Sequence, residues 1–111
     1  RQILENLKKG NSIALMIDQR VTEGIKIDFF GNLASTTTIP AQIIKKYECE
    51  LVPIYIERFN KCNFKMYVSQ PIVINKKKSQ EEISKHLNKI LEKMILKNPD
   101  QWIWTHNRWK K

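Results

Sequence analysis

The sequence predicts an α/β protein: a layered α/β/α domain with a mostly parallel sheet, incomplete because its N-terminal part is missing. Three observations predict it. Ile13-Ala14-Leu15-Met16-Ile17 and Leu51-Val52-Pro53-Ile54-Tyr55-Ile56 are almost uninterrupted apolar runs, the pattern of strands covered on both faces. A helical segment opened by Pro40 lies between them, so strand, helix and strand read as a right-handed crossover whose strands end on one edge of the sheet. A long amphipathic helix after Ser79 supplies a covering layer.

Taken in order, Ile3, Leu4 and Leu7 keep helical spacing and Gly10 closes that helix as a C-cap. The first apolar run then stops at Asp18-Gln19-Arg20. Ile25, Ile27 and Phe29 alternate with Lys26 and Asp28, an extended stretch that ends at Phe30-Gly31 and gives way to a Thr-rich loop, Ser35-Thr36-Thr37-Thr38. Pro40 starts a short helix through Ile43, Ile44 and Tyr47. In the second apolar run Pro53 conflicts with a central strand, because proline lacks the ladder donor, so the strand is expected to have a free side there. Phe64, Met66 and Val68 alternate with Lys65 and Tyr67, and Ile72-Val73-Ile74 continues extended. Ser79-Gln80-Glu81-Glu82 is a capping box for a helix whose Ile83, Leu87, Ile90, Leu91, Met94 and Ile95 form one stripe.

The tail places all three tryptophans in Trp102-Ile103-Trp104-Thr105-His106-Asn107-Arg108-Trp109. Asn98 as cap and Pro99 at the first helical position predict a short helix. On it Trp102, His106 and Trp109 share a face, while Trp104 and Arg108 form a second pair in cation–π range. Trp102 and Trp109 are expected to dock on the core, with Trp104 and Arg108 outward.

A chain of 111 residues holds one domain at most. It opens on Arg1-Gln2 without an initiator Met or a targeting pattern, and reads as a piece of a longer protein. No apolar run approaches the length of a membrane span. The net charge of +9, from 20 Lys and Arg against 11 Asp and Glu, favours anionic partners. Much of the excess lies around Lys76-Lys77-Lys78 and on the polar side of the following helix, where His86 reads as a surface residue. Cys49 and Cys62 form no Cys-x-x-Cys pair and read as buried thiols, and two distant histidines make no metal site. Three glycines without a Gly-x-Gly pattern exclude the usual phosphate-cradling loops. The RNP pattern of RNA-binding sheets is absent. Asp18-Gln19-Arg20 and Glu57-Arg58 are expected together at the carboxyl edge of the sheet, as a binding site or as a salt-bridged strand end.

Ile17-Asp18-Gln19-Arg20, Glu23-Gly24-Ile25-Lys26-Ile27-Asp28-Phe29-Phe30-Gly31, Ala34-Ser35-Thr36, Leu51-Val52-Pro53 and Gln101-Trp102-Ile103-Trp104-Thr105-His106-Asn107-Arg108-Trp109 follow one another in a telling order. The succession resembles the late acyltransferases of lipid A biosynthesis, the lauroyl and myristoyl transferases of Gram-negative bacteria, over almost the whole chain. The resemblance implies that residues 1–111 are the C-terminal portion of a single acyltransferase domain. The enzyme would move a fatty acyl chain from acyl carrier protein to a hydroxyl of a phosphorylated lipid A precursor, without metal or other cofactor. It would work at the cytoplasmic face of the bacterial inner membrane, an anionic surface, with a membrane anchor in the N-terminal part.

The family's general base is an upstream histidine in a His-x-x-x-x-acid motif. Here His86 reaches Leu91 and His106 reaches Lys111, so no catalytic histidine is assigned and the 111 residues are expected to be inactive alone. Asp18 and Gln19 match the family's Asp-Gln at a strand end and would line the cleft. Glu23-Gly24 looks like the element that related glycerol phosphate acyltransferases place near their substrate phosphate, with Arg20 and Lys26 as charge partners. Phe29, Phe30, Gly31 and Thr36 match the loop that shapes the acyl and acceptor pocket, and Val52-Pro53 matches a structural strand. The alternative of another class is a basic non-catalytic module for anionic lipid head groups or nucleic acid; on the enzyme reading nucleic acid is not a partner.

Overall fold

The computed structural model describes residues 2–47 and 49–110. Its helices are α1 (Gln2–Lys8), α2 (Ile39–Lys46) and α3 (Gln80–Ile95), and its strands are β1 (Ile25–Phe29), β2 (Asn32–Thr36), β3 (Ile54–Phe59) and β4 (Asn63–Val68). Two 3-10 turns, Pro99–Gln101 and Trp104–His106, carry the tail.

The mostly parallel sheet is not there. β1 pairs antiparallel with β2 and β3 antiparallel with β4, as two separate two-stranded sheets. Each is a local hairpin, whose closure costs far less chain entropy than a long crossover. Residues 13–17, expected as a buried strand, have no regular structure; Leu15 and Met16 are exposed, Ile13 is half-buried, and Ile17 packs against the core. An apolar run signals burial without naming a partner strand, and this one contributes a side chain to the core rather than a ladder. The second run begins its strand only at Ile54, with Leu51 in an isolated bridge to Ile72. Pro53 therefore sits just outside the strand, where its carbonyl accepts the Ser69 N–H at 3.0 Å and no donor is needed.

The β1–β2 hairpin turns on Phe30 (φ 52°) and Gly31 (φ 77°), both left-handed as a two-residue hairpin loop requires. Its register pairs Ile27 with Ala34 and Ile25 with Thr36. So Ser35 and Thr36, expected in a loop, are strand residues, and Ile27, Phe29, Ala34 and Thr36 are buried on one face.

α3 is the spine. Its capping box is complete: the Ser79 N–H donates to Glu82 Oε2 at 2.8 Å and the Glu82 N–H donates to Ser79 Oγ at 3.1 Å. Those bonds, the one from the Ser79 backbone first, hold the Glu82 carboxyl below its ordinary range. One half of α3 packs on α2 through Ala41, Ile44, Ile83 and Leu87, with Ile17, Leu51, Ile74 and Ile90 around them. The other half meets the hairpin through Ile95, Phe29 and Ala34, with Leu91, Phe30, Trp102 and Trp109 at the edge. Polar bonds fix the same contact. Buried Asn88 donates to the Asp28 carbonyl and to Thr36 Oγ1, and Lys89 reaches both Asp28 and Glu92 at 2.9 Å.

β3 and β4 stand off from this body. One face holds Tyr55, Glu57 and Tyr67, tied to the end of α3 by Asn98, which donates to the Tyr55 hydroxyl and to Glu57. The other face, Ile54, Ile56, Phe64, Met66 and Val68, is exposed. Cys62, expected buried, is exposed beside the turn; Cys49 is half-buried and both thiols are free.

Candidate functional site

No α-helix starts at Pro99. Asn98 spends its amide on Tyr55 and Glu57 and makes no cap bond, and Asn107 is left-handed at φ 45°. With two short turns in place of a helix, Trp102, His106 and Trp109 share no helical face. They converge because each finds a separate tertiary partner along the tail.

The Trp102 indole N–H donates to Asp18 Oδ2 at 3.3 Å. The next partner is one turn on, where His106 Nε2 accepts the Arg20 backbone N–H at 3.0 Å. Arg20 Nε donates to the Lys110 carbonyl at 3.2 Å, and the Trp109 indole N–H donates to the Phe29 carbonyl at 2.9 Å. On the other side, Gln101 exchanges two bonds with the backbone of Arg58. The expected sheet edge does not exist, yet Asp18 and Arg58 are gripped by consecutive tail residues, Trp102 and Gln101.

Between the tail and residues 18–20 lies a cavity of about 90 Å³ lined by Asp18, Gln19, Trp102, Ile103 and His106. Around Trp102, one of its walls, the rings of Phe29, Trp109 and Trp104 pack together at centroid separations of 4.6–6.4 Å, mostly edge to face or tilted. Phe30 lies 4.9 Å from Phe29 and 6.2 Å from Trp104. Trp102 and Trp109 thus dock on the core as expected, and Trp104 is 46% exposed. A larger, mainly aliphatic cleft of about 320 Å³ lies elsewhere, between α2 and residues 71–76, and faces none of these groups.

Arg108 reverses its expectation. It is fully buried rather than outward, and it lies over Phe29, 5.4 Å from the ring centroid, instead of over Trp104. Its Nη1 donates to the Ser35 carbonyl and its Nη2 to Thr36 Oγ1. Burial pushes the guanidinium below its ordinary value and the Asp18 carboxylate opposes that shift.

Of the residues singled out from sequence, Asp18 and Gln19 line the cavity and Arg20 borders it. Phe29 and Thr36 are buried in the core and are not part of the cavity lining. Phe30 and Gly31 form the hairpin turn, held by Glu92, whose Oε1 accepts the Phe30 N–H at 2.8 Å. Gly24 presses against the end of β2, while Glu23 and Lys26 are exposed. Ile103 and His106 as walls were not foreseen, and Arg108 as a buried partner of β2 has no signal in helical spacing. Among the described residues no cluster of His, Cys, Asp and Glu could hold a metal ion, and no helix is long and apolar enough to cross a membrane.

The family of bacterial lipid A biosynthesis acyltransferases matches the chain over residues 1–111. The chain belongs to this family. No curated protein matches it. Membership of the lipid A acyltransferases gives the chain's role in general terms, the joining of an acyl donor to a lipid A acceptor. The aromatic bed and the Asp18 cavity are the parts of this lipid A acyltransferase that gather polar and apolar groups in one place.

Proposed function

We propose that this chain provides the binding and orienting side of an acyltransferase that moves a fatty acyl chain from acyl carrier protein to a hydroxyl of a phosphorylated lipid A precursor, at the cytoplasmic face of the bacterial inner membrane. The observation that carries the proposal is the convergence of Asp18, Gln19 and His106 on one cavity beside an aromatic bed. In the reaction the hydroxyl oxygen attacks the thioester carbonyl, the new ester C–O bond forms, the C–S bond breaks, and the hydroxyl proton ends on the departing thiol.

A sugar hydroxyl needs a base for that attack. His106 already spends Nε2 on the Arg20 N–H, and His86 is exposed on α3. The residues described here accordingly hold and orient, and do not take the proton. Asp18 keeps one carboxylate oxygen on the Trp102 indole, which leaves it acceptor capacity toward a hydroxyl or a cationic group. Arg20 and Lys26 supply positive charge for the acceptor's phosphate, and the net charge of +9 suits an acidic carrier protein and an anionic membrane.

Asp18→Asn tests the assignment, since it is nearly isosteric and removes the charge alone. In the acyltransferase assayed with acyl carrier protein thioester and phosphorylated lipid A precursor, kcat/KM should fall at least about tenfold, roughly 1.4 kcal/mol of transition-state stabilisation. Unchanged activity with a lowered melting temperature would make Asp18 a structural anchor for Trp102 and overturn the site.

A further inference from the structure

Arg108 bears a full positive charge with none of its surface exposed. Among the described residues no carboxylate stands within ion-pair distance of it, and its Nε is buried without an acceptor. Its two remaining donor nitrogens both go to β2, to Ser35 and Thr36, and its plane rests on Phe29. A buried, unpaired guanidinium is a costly way to tie down a strand end, because desolvating the ion is repaid only in part by neutral acceptors.

What the guanidinium adds is a rigid planar fork that ties the tail to β2 at two points. The tail is pinned at Trp102 to Asp18 and at Arg108 and Trp109 to the hairpin, and the two cavity walls Ile103 and His106 lie between these pins. Thr36 cannot serve as a free donor here. Its hydroxyl donates to the Ala34 carbonyl and accepts from both Asn88 and Arg108.

We propose that Arg108 is a positioning residue for acyl transfer, acting through the tail and through Asp18 to hold that carboxylate and the His106 wall in working geometry. The inference rests on the reading of Asp18 as the site's carboxylate. It goes beyond that reading by placing the control of Asp18 in a residue that no substrate can touch.

The test is a double-mutant cycle in the acyltransferase with the same two substrates. Lysine keeps the charge of Arg108 but cannot reproduce the planar fork to Ser35 and Thr36. Arg108→Lys should lower kcat about tenfold or more while KM stays within about twofold, because the lost quantity is geometry at the reacting centre and not uniform binding. Combined with Asp18→Asn it should cost no more than about twofold beyond Asp18→Asn alone, since the two act as one unit. If Arg108→Lys does not fold, Thr36→Val removes the Nη2 acceptor at constant shape and is read by the same cycle. Losses that multiply, or a full kcat at lowered melting temperature, would overturn the positioning role while leaving the site intact. A silent Asp18→Asn beside an impaired Arg108→Lys would overturn the site, and with it the route through Asp18.

Discussion

Gly24 shows how one atom sets a local design. A Cβ built there would lie 2.6 Å from Val21 Cγ2, 2.7 Å from the Thr36 carbonyl oxygen and 2.8 Å from Ser35 Oγ. The Thr36 oxygen belongs to β2 and cannot retreat without shifting the strand that Arg108 and Asn88 hold. Gly24→Ala should therefore destabilise the chain by about 1–3 kcal/mol, the usual effect of forcing a methyl into a filled space. Urea unfolding measures it, and an unchanged midpoint would mean that the segment yields freely. The Glu23-Gly24 match seen in sequence thus has a packing reason of its own, independent of any phosphate. Phe30 is the opposite case. A left-handed phenylalanine costs about 1–2 kcal/mol, and it is offset by the Glu92 carboxylate on its N–H and by ring contacts to Phe29 and Trp104.

Elements with strong local signals were legible in the sequence. The box Ser79 to Glu82 and the stripe from Ile83 to Ile95 gave α3, Pro40 gave α2, and the alternation from Ile25 to Phe29 gave β1. β2 was not legible, because Ser35 and Thr36 read as loop residues, although Phe30-Gly31 carried glycine at the second position of a tight hairpin turn. The tail was misread for a different reason: its helix pattern is real, but Asn98, Trp102 and Trp109 each bond to a distant residue, and tertiary bonds outweigh a few tenths of a kcal/mol of propensity per residue. Of the candidate site, Asp18 and Gln19 were legible both as the polar stop of the first apolar run and through the family succession, and the burial of Arg108 was invisible without the fold.

The capping box of α3 also has a pH dependence. Bonds from Ser79 lower the Glu82 pKa in the folded chain, so its contribution is present above the ordinary glutamate value and is lost as pH falls through the lower folded value. The stability difference between wild type and Glu82→Ala should accordingly hold at neutral pH and shrink on acidification below the ordinary glutamate range. Chemical denaturation at several pH values tests this. A difference that stays constant to strong acid would show that the bond owes nothing to the charge.

At the scale of the molecule, the chain is looser than its length requires, with a radius of gyration of 14.7 Å against about 13 Å for a compact chain of this size. The β3–β4 hairpin accounts for the difference in kind, since its outer face pairs Ile56 with Met66 and Ile54 with Val68 and leaves all four about half exposed or more. Phe64, at 65%, extends the same apolar surface. A contiguous patch of this kind on a two-stranded sheet with open edges drives association. The net charge of +9 opposes it, but only over a Debye length that shrinks from about 30 Å at 0.01 M salt to about 8 Å at 0.15 M. The 111-residue chain should therefore sediment as a monomer at low ionic strength and associate as salt is raised, the reverse of an association held by ion pairs. Ile56→Glu with Met66→Lys puts opposite charges on a directly facing pair, which keeps the hairpin supported while breaking the patch. That double variant should remain monomeric across the same salt series. A wild-type chain that stays monomeric at 0.15 M salt and high concentration, or a double variant that associates as readily, would show that the exposed face is not what drives association.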